Sequence, residues 1–202
     1  MKDKPWYAVV YMFVVTAFFS SVVIGFAMFT KDKVEANQQL AFEKSVLQVF
    51  GLAQGKATSQ LHAIFLKRIR ISKDDNLASV AIDDQGKPSG YVVLLAGKGF
   101  WAPIKGVLGL ATDKRTITGI AFYEQNETPG LGGKITEKEF KDQFAGIELA
   151  DNYDAIGIKP FGAELSDNQV HAITGATQTC TRLEQLINDS IKQWRKTIEE
   201  NK

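Results

Sequence analysis

Cysteine and histidine are the scarcest chemistry in this chain: Cys180 is the single thiol, and His62 and His171 are the two imidazoles, among 202 residues. A lone cysteine excludes an internal disulfide and an iron–sulfur cluster, which needs several thiolates, and it leaves the redox compartment open. Cys180 reads instead as a small buried thiol in the first turn of a helix. No second His or carboxylate stands at helical ligand spacing from His62, so His62 reads as a surface or satisfied histidine and not as a metal ligand. An excess of charge of either sign is missing too. The net charge is +1, and no Lys/Arg cluster interleaves with aromatics, which sets nucleic acid aside. Dinucleotide and P-loop fingerprints are also absent. Gly97-Lys98-Gly99 is an incomplete GxGxxG without a βαβ unit, and Gly51 to Lys56 lacks the spacing and the following Ser/Thr of a Walker loop.

A long apolar run is present. From Trp6 to Phe29 no residue is charged, enough to cross the roughly 30 Å of bilayer hydrocarbon as a helix. The run exceeds a signal-peptide core, and no small-x-small cleavage site precedes Lys31, so it reads as an uncleaved anchor in lipid over residues 6–29. Trp6, Tyr7 and Tyr11 suit the headgroup layer at one end. Lys2 and Lys4 on one side face Lys31 and Lys33 on the other, so the positive-inside rule barely discriminates an orientation.

The chain as a whole is 45% hydrophobic, enough for one core plus an appendage. Three segments are expected: the anchor at 1–30, a helical stalk and domain entry at 31–75, and the main domain at 76–202. Val34, Leu40, Ala41, Val46, Leu47 and Phe50 recur at helical spacing, and Gly51 to Gly55 ends that helix. Leu61, Ile64, Phe65, Ile69 and Ile71 fit a second short helix or a helix running into a strand. Leu77 to Ile82, Gly90 to Ala96, Ile104 to Ala111 and Ile117 to Tyr123 read as an antiparallel meander, with turns at Asp83 to Gly86, Gly97 to Gly99 and Asp113-Lys114. Thr136 to Phe144 reads as a short helix opened by a Thr136-to-Glu139 capping box, with Phe140 and Phe144 on one face. After a less regular stretch from Asp151 to Asp167, Leu183, Leu186, Ile187, Ile191, Trp194 and Ile198 form one stripe of a final helix, with Thr181 and Glu184 as a second capping box. Strands followed by helices without βαβ alternation make the fold class α+β: an N-terminal transmembrane helix, then one domain with an antiparallel sheet and flanking helices.

Two segments carry the chemistry. Thr174-Gly175-Ala176-Thr177-Gln178-Thr179 places hydroxyls and small residues ahead of the final helix, where unpaired N–H groups and the dipole favour an anion such as phosphate. Alone, it also fits an ordinary capped turn. The second is Glu127-Thr128-Pro129-Gly130-Leu131-Gly132-Gly133-Lys134, a rigid glycine-rich loop after a strand. Pro129 fixes one backbone angle, while Gly130 and Gly132 permit positive φ and close approach.

Together the ETPGLG loop and the TGATQT segment resemble the flavin-binding domain shared by the C subunit of the sodium-pumping NADH:quinone reductase and the G subunit of the Rnf electron-transport complex. The resemblance covers essentially the whole chain. It implies FMN joined through a phosphoester to Thr177, with Thr174, Gly175, Ala176 and Thr179 around the attachment point. Glu127, Thr128, Pro129, Gly130, Leu131, Gly132 and Lys134 would then position the ring, Leu131 on its face and Lys134 near the phosphate or the reduced flavin's charge. A threonine hydroxyl is a poor nucleophile and no base stands beside Thr177 in sequence, so the resemblance also implies a periplasmic flavin transferase as maturation partner. It further implies a single-pass inner-membrane protein with a periplasmic domain, other subunits of a membrane complex as partners, and electron relay in redox-driven ion transport. The chain leans toward the Rnf branch. The alternatives are the reductase's C subunit, to which Gly97-Lys98-Gly99-Phe100-Trp101 is similar, and an assembly or interaction subunit with a non-functional flavin site. That GKGFW element either flanks the flavin or, as the favoured reading, forms a hairpin with Trp101 in the core. One departure stands out: His171 occupies the place where the family carries Asp.

Overall fold

The computed structural model describes residues 5–71, 79–150 and 156–200. The first helix, α1 (Pro5–Val49), runs for 45 residues, and its apolar part has a mean hydropathy of 2.3 with none of that window buried. It is long and apolar enough to cross a membrane. The helix continues through the boundary expected near residue 30, because the polar segment after Phe29 keeps good helix formers and contains no Gly or Pro until Gly51. Gly51 ends it with φ +70°, the left-handed turn that glycine adopts without strain. Its amide donates to the Gln48 carbonyl at 3.0 Å and the next amide, of Leu52, to Leu47 at 2.9 Å, closing the helix's free carbonyls.

The residues from Leu40 onward form the compact domain. A second helix, α2 (Thr58–Arg68), runs directly into β1 (Ile69–Ile71), the helix-into-strand alternative. β2 (Ser79–Ile82), β3 (Pro88–Lys98), β4 (Pro103–Leu110) and β5 (Ile117–Glu124) follow as a five-stranded antiparallel sheet in order β1-β2-β3-β4-β5. The expected start at Leu77 lies outside the described residues, as do the first residues of the stretch from Asp151. β3 outruns the turn expected at Gly97 to Gly99, pairing Gly97 with Ile104 and Lys98 with Pro103. The reversal comes one step later, where the Gly99 amide donates to the Ala102 carbonyl at 2.9 Å.

Both faces of the sheet are covered, so alternate residues of one strand enter different cores. Val92 and Val107 pack with Val46, Leu47 and Phe65 from the end of α1 and from α2. Val93, Leu95 and Leu108 pack on the other face with Leu183, Ile187 and Trp194 of α4 (Thr177–Glu200). The stripe read for that helix is the buried one, and Trp194 at its far end meets Tyr91 edge-on at 5.9 Å. The fold is α+β.

Both expected capping boxes fail. A 3-10 turn over Gly132–Thr136 precedes α3 (Lys138–Asp142), and Glu137 is the N-cap, because the Thr136 hydroxyl donates backwards to the Gly133 carbonyl at 3.0 Å. Thr181 lies a full turn inside α4, whose first bond runs from the Cys180 amide to the Ala176 carbonyl at 3.0 Å. Two short parallel strands, β6 (Gly157–Lys159) and β7 (Gln169–His171), occupy the irregular stretch. Side chains complete this small ladder. Asn188 of α4 bonds both the amide and the carbonyl of Ile156, Glu184 accepts the Ile158 amide, and Gln143 bonds both backbone groups of His171.

Candidate functional site

The TGATQT segment forms the hinge between β7 and α4. Gly175 takes φ +80°, a conformation that would strain any residue with a Cβ, and an added Cβ would also lie 3.1 Å from Leu131 Cδ2. That turn leaves Thr174, Gly175, Thr177 and Gln178 at the surface while Ala176 and Thr179 are buried. Thr177 is the first residue of a 24-residue helix, so its side chain stands where free amide donors and the dipole's positive end meet solvent.

The loop after β5 packs against this hinge. Thr128-Pro129-Gly130-Leu131 is a β-turn, with the Leu131 amide donating to the Thr128 carbonyl at 3.1 Å and Gly130 at φ +75°. Gly132 does not take positive φ. It serves close approach instead: an added Cβ would fall 2.5 Å from Thr179 Oγ1. Between the two segments sits Glu127, buried at 5% exposure. Its Oε1 accepts the Trp101 amide at 3.0 Å and its Oε2 accepts the Thr179 hydroxyl at 2.7 Å. One buried carboxylate thus ties together the GKGFW hairpin, the glycine loop and the head of α4.

Two clefts open on either side of Thr177. The first, about 180 Å³, is lined by Phe100, Trp101, Thr128 and Leu131 on one side and by Gly175 to Thr179 on the other. Trp101 is not in the core as expected. It is 69% exposed, and Phe100 meets it edge-on at 5.0 Å, because the Glu127 carboxylate holds the hairpin backbone inward and turns the indole out. The second cleft, about 460 Å³, is lined by Ile158, Pro160, Phe161, Ile173, Thr174 and Cys180 together with Thr177. Among the expected site residues, Pro129, Gly130 and Lys134 line neither cleft, and Glu127 points into the protein.

Sequence reasoning missed Phe161, although an aromatic between Pro160 and Gly162 marks a turn tip; it is 76% exposed. His171 lies behind it at 5.6 Å between ring centroids, with Nδ1 buried and without a hydrogen-bond partner among the described residues. Cys180 is a buried thiol, as expected. Burial pushes its pKa up, the Ile173 amide at 3.4 Å working the other way, so it stays neutral. His62 is a satisfied histidine, its Nδ1 lying 3.0 Å from both oxygens of the buried Glu43.

None of the described residues lining the two clefts is a His, Asp or Glu. Their apolar edges and helix-end donors suit a bound planar group. Residues 99–192, which contain all of these elements, match the FMN-binding domain family. Over that segment the chain is similar to this family. FMN is its cofactor, and the residues present fit that group: an exposed hydroxyl and helix-end amides for a phosphate, with aromatic and aliphatic walls for a ring. The FMN-binding chain is similar along most of its length to curated relatives. The C subunit of the Na(+)-translocating NADH-quinone reductase of Pasteurella multocida is 25% identical over 87% of this chain and 84% of the relative, and that of Vibrio alginolyticus 26% over 79% and 80%. The crystal structure of the same protein from Parabacteroides distasonis superposes with a TM-score of 0.68 at 21% identity, covering 81% of this chain and 94% of that one. NqrC from Shewanella oneidensis gives 0.61 at 21%, covering 79% and 99%. At that identity the superpositions establish the fold. The N-terminal apolar helix, the one such helix among the described residues, is long and apolar enough to anchor this flavoprotein in a membrane.

Proposed function

We propose that the chain is an electron-carrying subunit of a redox-driven, ion-translocating membrane complex, with FMN joined covalently to Thr177 through a phosphoester. The observation that carries this reading is the placement of the Thr177 hydroxyl, exposed at the head of α4 and shared by both clefts. Bound FMN supplies reversible electron transfer without a substrate of the subunit's own. The chain's residues do the rest. Thr177 would tether it, the α4 amides would meet the phosphate, and Phe100, Trp101 and Leu131 would hold the ring.

Among the described residues no base lines the clefts to activate Thr177, which favours attachment by a separate flavin transferase. That enzyme, a periplasmic placement of the domain and lipid around residues 6–29 belong to the same proposal. The relatives and solved structures described above are named as C subunits of the sodium-translocating reductase, which favours that branch over the Rnf-type complex toward which the sequence leans.

Co-expression with a flavin transferase followed by peptide mass spectrometry tests the tether. An FMN-minus-water increment on the peptide containing Thr177, absent from Thr177→Ala, is expected. Unmodified wild-type peptide would overturn covalent attachment, and a colourless protein that still captures membrane partners would make it an assembly subunit.

A further inference from the structure

A cleft of about 680 Å³ lies elsewhere on the domain, where the end of α1, the end of α2, β5 and α3 converge. It shares no lining residue with either flavin cleft. Its apolar surface comes from Val49, Phe50, Leu52, Ile120 and Ala145. Its polar surface is rich in donors. Arg68, Lys138 and Lys141 line it, and Asp142, the one carboxylate among the described lining residues, is paired with Lys138.

Two polar atoms in that wall are buried without a hydrogen-bond partner among the described residues: Arg68 Nε and Thr118 Oγ1. Arg68 spends its outer NH1 on Asp84 at 2.7 Å, leaving the inner N–H unmatched while the side chain is only 19% exposed. A buried donor without an acceptor costs free energy, which a bound acceptor would recover once the side chain turns that group into the cleft. Lys141 is under related pressure. Burial, then the charges of Lys44 and Lys138, hold its ammonium below the ordinary lysine range against the opposing pull of Asp142. An anion beside it would reverse that depression.

We propose that this cleft binds a small organic anion, a carboxylate or phosphate head on an apolar body, with Arg68, Thr118 and Lys141 receiving the head and Val49, Phe50 and Ile120 the body. The volume is that of a small-molecule site and exceeds what a bare phosphate fills. The mixture of unmatched donors and apolar wall accounts for both parts of the ligand.

The test uses the full chain in nanodiscs of zwitterionic lipid, with empty discs as the blank, and isothermal titration with hexyl phosphate, hexanoate, inorganic phosphate and 1-hexanol. Expected is saturable binding of hexyl phosphate or hexanoate about tenfold tighter than either the bare phosphate or the alcohol, because head and body must both contribute. Comparing the two amphiphilic probes distinguishes a phosphate head from a carboxylate. Lys141→Gln should weaken the better probe about tenfold and Thr118→Val about threefold. Thr177→Ala should leave binding unchanged, which separates this site from the flavin reading. Absence of saturation by both amphiphilic anions at about 10 mM, far weaker than ordinary micromolar binding, would overturn the proposal, as would unchanged affinity in Lys141→Gln or loss of binding in Thr177→Ala.

Discussion

Thr179 donates its hydroxyl to Glu127 Oε2 at 2.7 Å, joining positions 52 residues apart inside the domain. The other oxygen of the same carboxylate holds the Trp101 amide at 3.0 Å. Every wall of the Trp101 cleft hangs on one of the three segments that these two bonds connect.

Glu127→Ala therefore leaves a buried hydroxyl and a part-buried amide without acceptors, and the domain should lose about 2–3 kcal/mol. Glu127→Gln keeps one acceptor and should lose less than half as much. Urea unfolding followed by far-ultraviolet circular dichroism measures both. Equal losses for the two variants would mean that packing, and not hydrogen bonding, is what Glu127 supplies.

Gly175→Ala forces a Cβ into φ +80° and toward Leu131 Cδ2. A cost of about 1–2 kcal/mol follows from the left-handed backbone alone. Displacement of Leu131 should also lower FMN loading, read as the flavin-to-protein absorbance ratio after co-expression with a transferase. A fully loaded variant of wild-type stability would show that the hinge tolerates another conformation.

Trp101 is so exposed that Trp101→Ala should change stability by less than about 0.5 kcal/mol. If the indole walls the flavin, the affinity of unmodified protein for added FMN should nonetheless fall about tenfold, and Trp101→Phe should restore most of it. Titration by quenching of FMN fluorescence decides this. Unchanged affinity would move the ring toward the Phe161 cleft.

Asp113 provides the pH dependence. The Thr116 hydroxyl, then the Thr116 and Arg115 amides, donate to its carboxylate and hold its pKa below the ordinary aspartate range. A carboxylate depressed on folding contributes stability above its unfolded value, and that contribution disappears as pH falls through the folded value. The melting-temperature gap between wild type and Asp113→Ala should be constant above about pH 5 and close below about pH 4. A gap that widens in acid would contradict the assignment.

The elements with strong internal periodicity are legible in the sequence. Trp6 to Phe29, the strands from Gly90 to Tyr123 and the stripe from Leu183 to Ile198 each carry their burial pattern within a short window. Boundaries and caps are less legible, because a Thr-x-x-Glu spacing reports what a side chain could reach and not where the backbone bond begins. Thr136 and Thr181 both match the spacing, and neither caps a helix. β6 and β7 leave no such trace because three-residue strands have no period, and side chains of Gln143, Glu184 and Asn188 complete their ladder.

By itself, the sequence determined the apolar helix, the meander, the amphipathic final helix and the two glycine-bearing segments that mark a flavin domain, since each depends on neighbours within a few residues. Only the tertiary structure decided that Trp101 faces solvent, that Glu127 turns inward, that Thr177 is shared by two clefts, and that Arg68, Thr118 and Lys141 meet at a third. These outcomes depend on long-range partners. Which face of a loop a side chain takes is settled when buried donors and acceptors must be matched across the whole domain at once.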